Sequence, residues 1–189
     1  MTQSLLYILL GTLLGVGSWQ IIVWLSETID KNRKFQEANS FAAEQGKPLL
    51  VVGGPWGNKR VRHWLNMPAH GNGDVCLDID RRAIDGHPCG VIASVTRIPF
   101  SDNSFGAAFA SHLLEHLPTT NDAKQALAEL NRVAEAVFIV CPSRQSVAGW
   151  VIADHHIWVW QKGDRTYLKQ RGKSGVEEEY IVEAEAKDD

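Results

Sequence analysis

The sequence is short of several things, and each shortage narrows what the protein can be. Its three cysteines, Cys76, Cys89 and Cys141, are widely spaced and odd in number. They form no CxxC pair, so neither a zinc site nor a disulfide framework is indicated. Cys76 and Cys141 stand in apolar runs, where a thiol serves as a small buried hydrophobe in a reducing compartment. There is no basic surplus: 19 Lys and Arg face 22 Asp and Glu, for a formal net charge of -3. That balance lacks the electrostatic footprint of a nucleic-acid binder. Internal repeats and low-complexity segments are also missing. One stretch lacks charge altogether: "LLYILLGTLLGVGSWQIIVWL", from Leu5 to Leu25.

A helix of that length spans about 30 Å, the thickness of a bilayer's hydrocarbon core. It reads as a single-pass membrane anchor, with Tyr7, Trp19 and Trp24 toward the interfaces. The rival reading, a signal peptide, calls for a basic start and a small-residue cleavage site. "MTQS" carries no base, and "WLSETID" is a poor cleavage site. Lys31, Arg33 and Lys34 follow the run closely and nothing basic precedes it. The positive-inside rule then places the C-terminal domain in the cytoplasm. Gly11 and Gly15 form a GxxxG spacing, which is either a helix-packing face or chance. The partners expected are thus the membrane, and beyond it a membrane protein complex or a second copy of the chain.

The chain divides into an anchor (1–25), a juxtamembrane helix or linker (26–46), a globular domain (47–170) and an acidic tail or edge strand (171–189). The linker segment is polar and rich in helix formers, and Gly46 and Pro48 end it. In the domain, short apolar runs alternate with helical or polar stretches. The runs are 49–52, 75–79, 90–93, 107–110 and 137–140. Continuous apolar runs suit strands buried on both faces. Between the last two lies "TTNDAKQALAELNRVAEA", with Ala126, Leu127, Leu130 and Val133 at helical spacing and Thr120 or Asn121 as its cap. Strand, helix, strand in series predicts an α/β fold, a Rossmann-like, doubly wound, mostly parallel sheet. Farther on, "HHIWVWQKGDRTYLKQR" reads as a hairpin turning at Lys162, Gly163 and Asp164. Trp158 and Trp160 share a face there, as core packing requires.

In a doubly wound sheet, ligands bind outside the carboxyl ends of the strands. The first run opens into a glycine-rich turn, "LLVVGGPWG", and the second ends in "DVCLDID". Asp78 therefore stands about 20 residues past the turn, where a carboxylate can accept hydrogen bonds from a ribose diol.

The most specific stretch is "IPFSDNSFGAAFASHLLEHLP". Through Pro99, Phe100, Asp102, Ser104, Phe105, Leu114, Glu115 and His116 it resembles the class I S-adenosylmethionine-dependent methyltransferases. Within them it is most similar to the methyltransferase type 11 group, which includes quinone-biosynthesis enzymes. The resemblance runs on through "AKQALAELNRVA" and "AVFIVCPS" and covers roughly residues 47–143. It implies S-adenosyl-L-methionine as cofactor. Gly53, Gly54 and Gly57 would lie by its methionine part and Asp78 at the ribose, while Ser94 or Thr96 stands near the place where the family often has an acid that pairs with the adenine amine. Ser111 and His112 would face cofactor or substrate. The sequence departs from the family's turn, acid-x-Gly-x-Gly-x-Gly, at two places. Val51 replaces the acid and Pro55 the middle glycine, with bulky Trp56 beside it. Pro55 has no N–H to offer a ligand.

A catalytic base is not identifiable; His112, His116 and His155 are candidates. Methyl transfer asks mainly for alignment and exclusion of water, because the sulfonium is already activated. His112-Leu113-Leu114-Glu115-His116 also spells H-x-x-E-H, a zinc-protease pattern when it lies on one helix. The methyltransferase pattern already accounts for Glu115 and His116, so no metal is expected. Two functions stay open: a membrane-anchored methyltransferase acting on a lipid-soluble or membrane-bound substrate, and a catalytically inactive subunit of that fold in a membrane complex.

Overall fold

A computed structural model describes residues 2–53, 73–85, 87–163, 165–172 and 178–181. Gly54, Pro55, Trp56 and Gly57 lie outside the described residues, as does most of the acidic tail.

The strands are β1 (Leu49–Val52), β2 (Val75–Asp78), β3 (Gly90–Ile92), β4 (Phe105–Ser111) and β5 (Ala134–Val140). They form one sheet in the order β3-β2-β1-β4-β5, parallel at every pairing. The order reverses between β1 and β4, so the ligand crevice of such a sheet opens at the ends of those two strands. A long helix, α1 (Thr2–Glu44), precedes the sheet, and α2 (Thr120–Val133) joins β4 to β5. Strand periodicity divides the core. Leu49 and Val51 of β1, with Ala107 and Phe109 of β4, face α1. Leu50 and Val52, with Ala108 and Ala110, face α2. Both faces are covered, which is why these runs are apolar throughout. A short helix, α3 (Val147–Val151), follows β5. The chain then forms an antiparallel sheet, β6 (Ile157–Lys162), β7 (Arg165–Gln170) and β8 (Glu178–Ile181). Ile157, Val159 and Leu168 of this sheet join the α2-side core.

The 26–46 segment is helical through Glu44, and its Phe35, Ala38 and Ala42 are buried against the sheet, while two other expectations need correction. Phe35 meets Phe109 edge-on at 5.3 Å, and an added Cβ on Gly106 would stand 2.8 Å from the Cα of Ala42. The α2 cap is Thr119, which forms a capping box with Asp122. The core face of β6 carries Ile157 and Val159, while Trp158 and Trp160 sit half-buried on the other face. There Trp160 stacks on Tyr167, and Arg144 lies over its ring.

Arg132 on α2 explains why the 98–102 loop keeps its shape. Its guanidinium donates to the carbonyls of Ile98 and Phe100 and to Asp102 and Glu129, at 2.8–2.9 Å. The carboxyl of Glu129 is held below the usual range, chiefly by that hydrogen bond, against an opposing effect of desolvation. Arg132→Met keeps the aliphatic stem and is expected to lower the melting temperature by loosening this loop. A depressed carboxyl stabilises fully above the ordinary glutamate range, and that stability is lost as pH falls through the depressed value. The deficit of the variant should therefore be largest at neutral pH and shrink in acid, which melting curves across pH would read.

Candidate functional site at the carboxyl edge of the sheet

Four of the expected site residues cluster at the carboxyl ends of the strands. Gly53 directly follows β1, and its N–H donates to the Leu77 carbonyl of β2 at 3.0 Å. Its φ of +88° suits glycine, and a Cβ there would lie 3.5 Å from the Ser111 carbonyl and 3.8 Å from the Leu113 side chain. The turn thus passes close over the end of β4. Asp78 ends β2, half-buried, and its Oδ1 accepts the N–H of Asp80 at 2.7 Å. Asp80 in turn caps the turn at Arg81–Ala83. The Ala93 N–H bonds the Asp78 carbonyl, which brings the loop after β3 alongside. Ser94 is engaged within that loop, sharing a 2.8 Å hydrogen bond with the Thr96 hydroxyl and accepting the Thr96 N–H. The Ser111 hydroxyl is buried and makes no hydrogen bond.

His112 has a φ of +52°, an uncommon conformation for a residue with a side chain. Its N–H donates to the Val140 carbonyl, so the chain swings from β4 toward the end of β5. The next residues, Leu114–His116, form a single tight turn. His112 and His116 therefore do not share a helix face, and H-x-x-E-H has no protease geometry here. Instead Glu115 and His116 approach His155, which precedes β6 and points inward. The rings of His116 and His155 meet edge-on at 4.8 Å. Desolvation lowers the pKa of His155. Nearby, desolvation pushes the Cys141 thiol well up, and the Glu115 carboxylate adds to it. At β2, burial and then the Asp78 carboxylate push the Cys76 thiol up to about 11.

Ile79, expected as the last residue of the second buried run, lies outside β2. It follows Asp78 and is 75% exposed, an apolar surface beside the acid. It stands just past the end of the strand, with no core left to enter.

Residues 62–136 match the model of a family described as Methyltransferase domain. This stretch contains β2, β3, β4 and α2 and ends early in β5. The match and the five-stranded parallel sheet together support a class I methyltransferase, whose family generally uses S-adenosylmethionine. No curated protein matches the chain.

The residues present fit such a cofactor. A glycine with positive φ lets the backbone approach a ligand at the switch point, a carboxylate ends β2, and the one buried hydroxyl at the end of β4 lacks a partner.

Proposed function

We propose that the protein is a membrane-anchored, S-adenosylmethionine-dependent methyltransferase whose substrate is lipid-soluble or membrane-bound. The observation that carries this reading is the course of α1 across the sheet. Ala42 packs at Gly106 near the start of β4, and Phe35 packs on Phe109. Farther back along the helix, Lys34 donates to the Ile139 carbonyl near the end of β5. Glu27 then accepts the Ser143 N–H beyond it. Gln20 accepts the Val147 N–H and donates to the Gln145 carbonyl. The helix thus runs antiparallel to the strands and leaves the domain at their carboxyl edge. Its apolar part, the one described helix long and apolar enough to cross a membrane, continues from there. The ligand edge of the sheet faces the lipid.

Two details support the same placement. Gln20 carries the one side-chain amide within the apolar run, and both ends of it are engaged by the domain. Beside it, α3 and the residue after it expose Val147, Trp150, Val151 and Ile152. An apolar patch level with the end of a spanning helix suits the headgroup boundary. The basic residues after the run favour a cytoplasmic domain.

In this reading Gly53 lies along the methionine part of the cofactor. Asp78 accepts the ribose hydroxyls, Ser94 stands on the adenine side, and the Ser111 hydroxyl meets either cofactor or acceptor. The cofactor, when bound, supplies an activated methyl group. The domain aligns the acceptor with it and excludes water. His112, at the β4 end of the crevice, is the best-placed candidate to take a proton from the acceptor.

A second reading, an inactive subunit of a membrane complex, draws on Val51. That side chain is 1% exposed in the α1-facing core, so the position of the family's acid offers no polar handle. The two readings separate in one experiment. Membranes containing the protein are incubated with methyl-labelled S-adenosylmethionine and extracted with organic solvent. Label in the extract, absent with Asp78→Ala, supports the enzyme. No label above membranes lacking the protein favours the inactive subunit.

A further inference from the structure

We infer that Glu115, His116 and His155 form a binding site for a zinc-type divalent cation. One ligand atom from each lies within 4.8 Å of the others. A tetrahedral ion with bonds of about 2.0–2.2 Å holds its ligand atoms about 3.4 Å apart, so small side-chain rotations close the set. The second observation is the state of Glu115. Its side chain is 3% exposed, and neither carboxylate oxygen makes a hydrogen bond. His112 Nδ1 stands 3.4 Å from Oε1, near enough for charge attraction but without hydrogen-bond geometry. A buried carboxylate left in that state calls for a positive partner.

Each of the two histidines sets its Nδ1 at a backbone carbonyl. His116 Nδ1 lies 3.2 Å from the Asp154 carbonyl, and His155 Nδ1 lies 3.2 Å from the Gly149 carbonyl. A carbonyl can only accept, so each Nδ1 carries the proton and each Nε2 keeps a lone pair. Metal-binding histidines are held in this way by a backbone carbonyl on the other nitrogen. Two imidazoles with one carboxylate suit zinc, whereas magnesium and calcium prefer all-oxygen sets. His116 is exposed, so a fourth position opens toward solvent at the carboxyl edge of the sheet. The inference concerns metal binding and stands whether or not the chain transfers methyl groups.

The test uses the full chain in detergent micelles, stripped with a chelator and dialysed against zinc. One zinc per chain is expected, with a melting temperature that rises with zinc concentration. His116→Gln alters an exposed ring and should leave the fold intact while weakening zinc at least about tenfold. Glu115→Gln keeps shape and volume and should abolish the zinc-dependent rise in melting temperature. His112→Gln should retain zinc. Cobalt in place of zinc should give the intense visible absorption of a four-coordinate site. The inference is overturned if the folded wild-type chain retains no zinc, or if bound zinc is unchanged in both His116→Gln and Glu115→Gln.

Discussion

Gly106→Val is expected to detach α1 from the sheet, the largest stability effect of any single substitution considered. Gly106 needs no unusual backbone angle; the constraint is space. A Cβ there would stand 2.8 Å from the Ala42 Cα, 3.1 Å from its carbonyl oxygen and 3.3 Å from its Cβ. Two of those three atoms are backbone, so no rotamer change relieves the clash, and trimming Ala42 to glycine does not rescue it. The helix must move, and the buried contacts of Phe35, Ala38 and Ala42 with Val51, Phe109 and Val140 go with it. Overpacking a filled core costs about 1–3 kcal/mol, and backbone displacement puts this site at or above the top of that range. At about 2–4 °C per kcal/mol for a domain of this size, melting should fall by roughly 6–12 °C. Gly11→Ala has no neighbour within 4 Å and should change little. Circular-dichroism melts of both variants in micelles separate the two cases. Equal melting temperatures would mean that α1 does not pack at Gly106.

Asp78→Ala is expected to cost one to two decades in affinity for S-adenosylmethionine. A hydrogen bond to a charged group contributes about 1.5–3 kcal/mol, and each 1.4 kcal/mol is tenfold. Asp78→Asn keeps the shape and one acceptor and should lose less. Asp80→Ala is the control, because its carboxylate caps the next turn through the Arg82 N–H, at 2.8 Å, and has no assigned part in the crevice. Equal losses in Asp78→Ala and Asp80→Ala would assign the effect to the loop as a whole and take the ribose role from Asp78.

The sheet was legible because parallel strands covered on both faces are apolar at every position, as Leu49–Val52 and Val75–Asp78 nearly are. The hairpin was legible from its turn residues. The docking of α1 was not, because its contact face is built of alanine. Phe35, Ala38 and Ala42 recur at helical spacing, but two of them are too small to stand out in a polar stretch. The site divides the same way. Gly53 and Asp78 could be placed at strand ends from the apolar runs, whereas Ser111 came from the family resemblance. The approach of His155 to Glu115 and His116 could not, since it depends on how the hairpin returns over the turn after β4. The inward turn of the 98–102 loop also needed coordinates. Asp102 is one of the residues that carry the family resemblance, and it is paired with Arg132 on α2.

The most direct measurement is calorimetric titration of S-adenosylmethionine and S-adenosylhomocysteine into the full chain in micelles. Binding of one equivalent at micromolar strength, weakened in Asp78→Ala and unchanged in Asp80→Ala, is the predicted result. No heat of binding up to millimolar ligand, from a chain with a normal melting curve, would contradict a cofactor at the carboxyl edge and leave the inactive subunit as the reading.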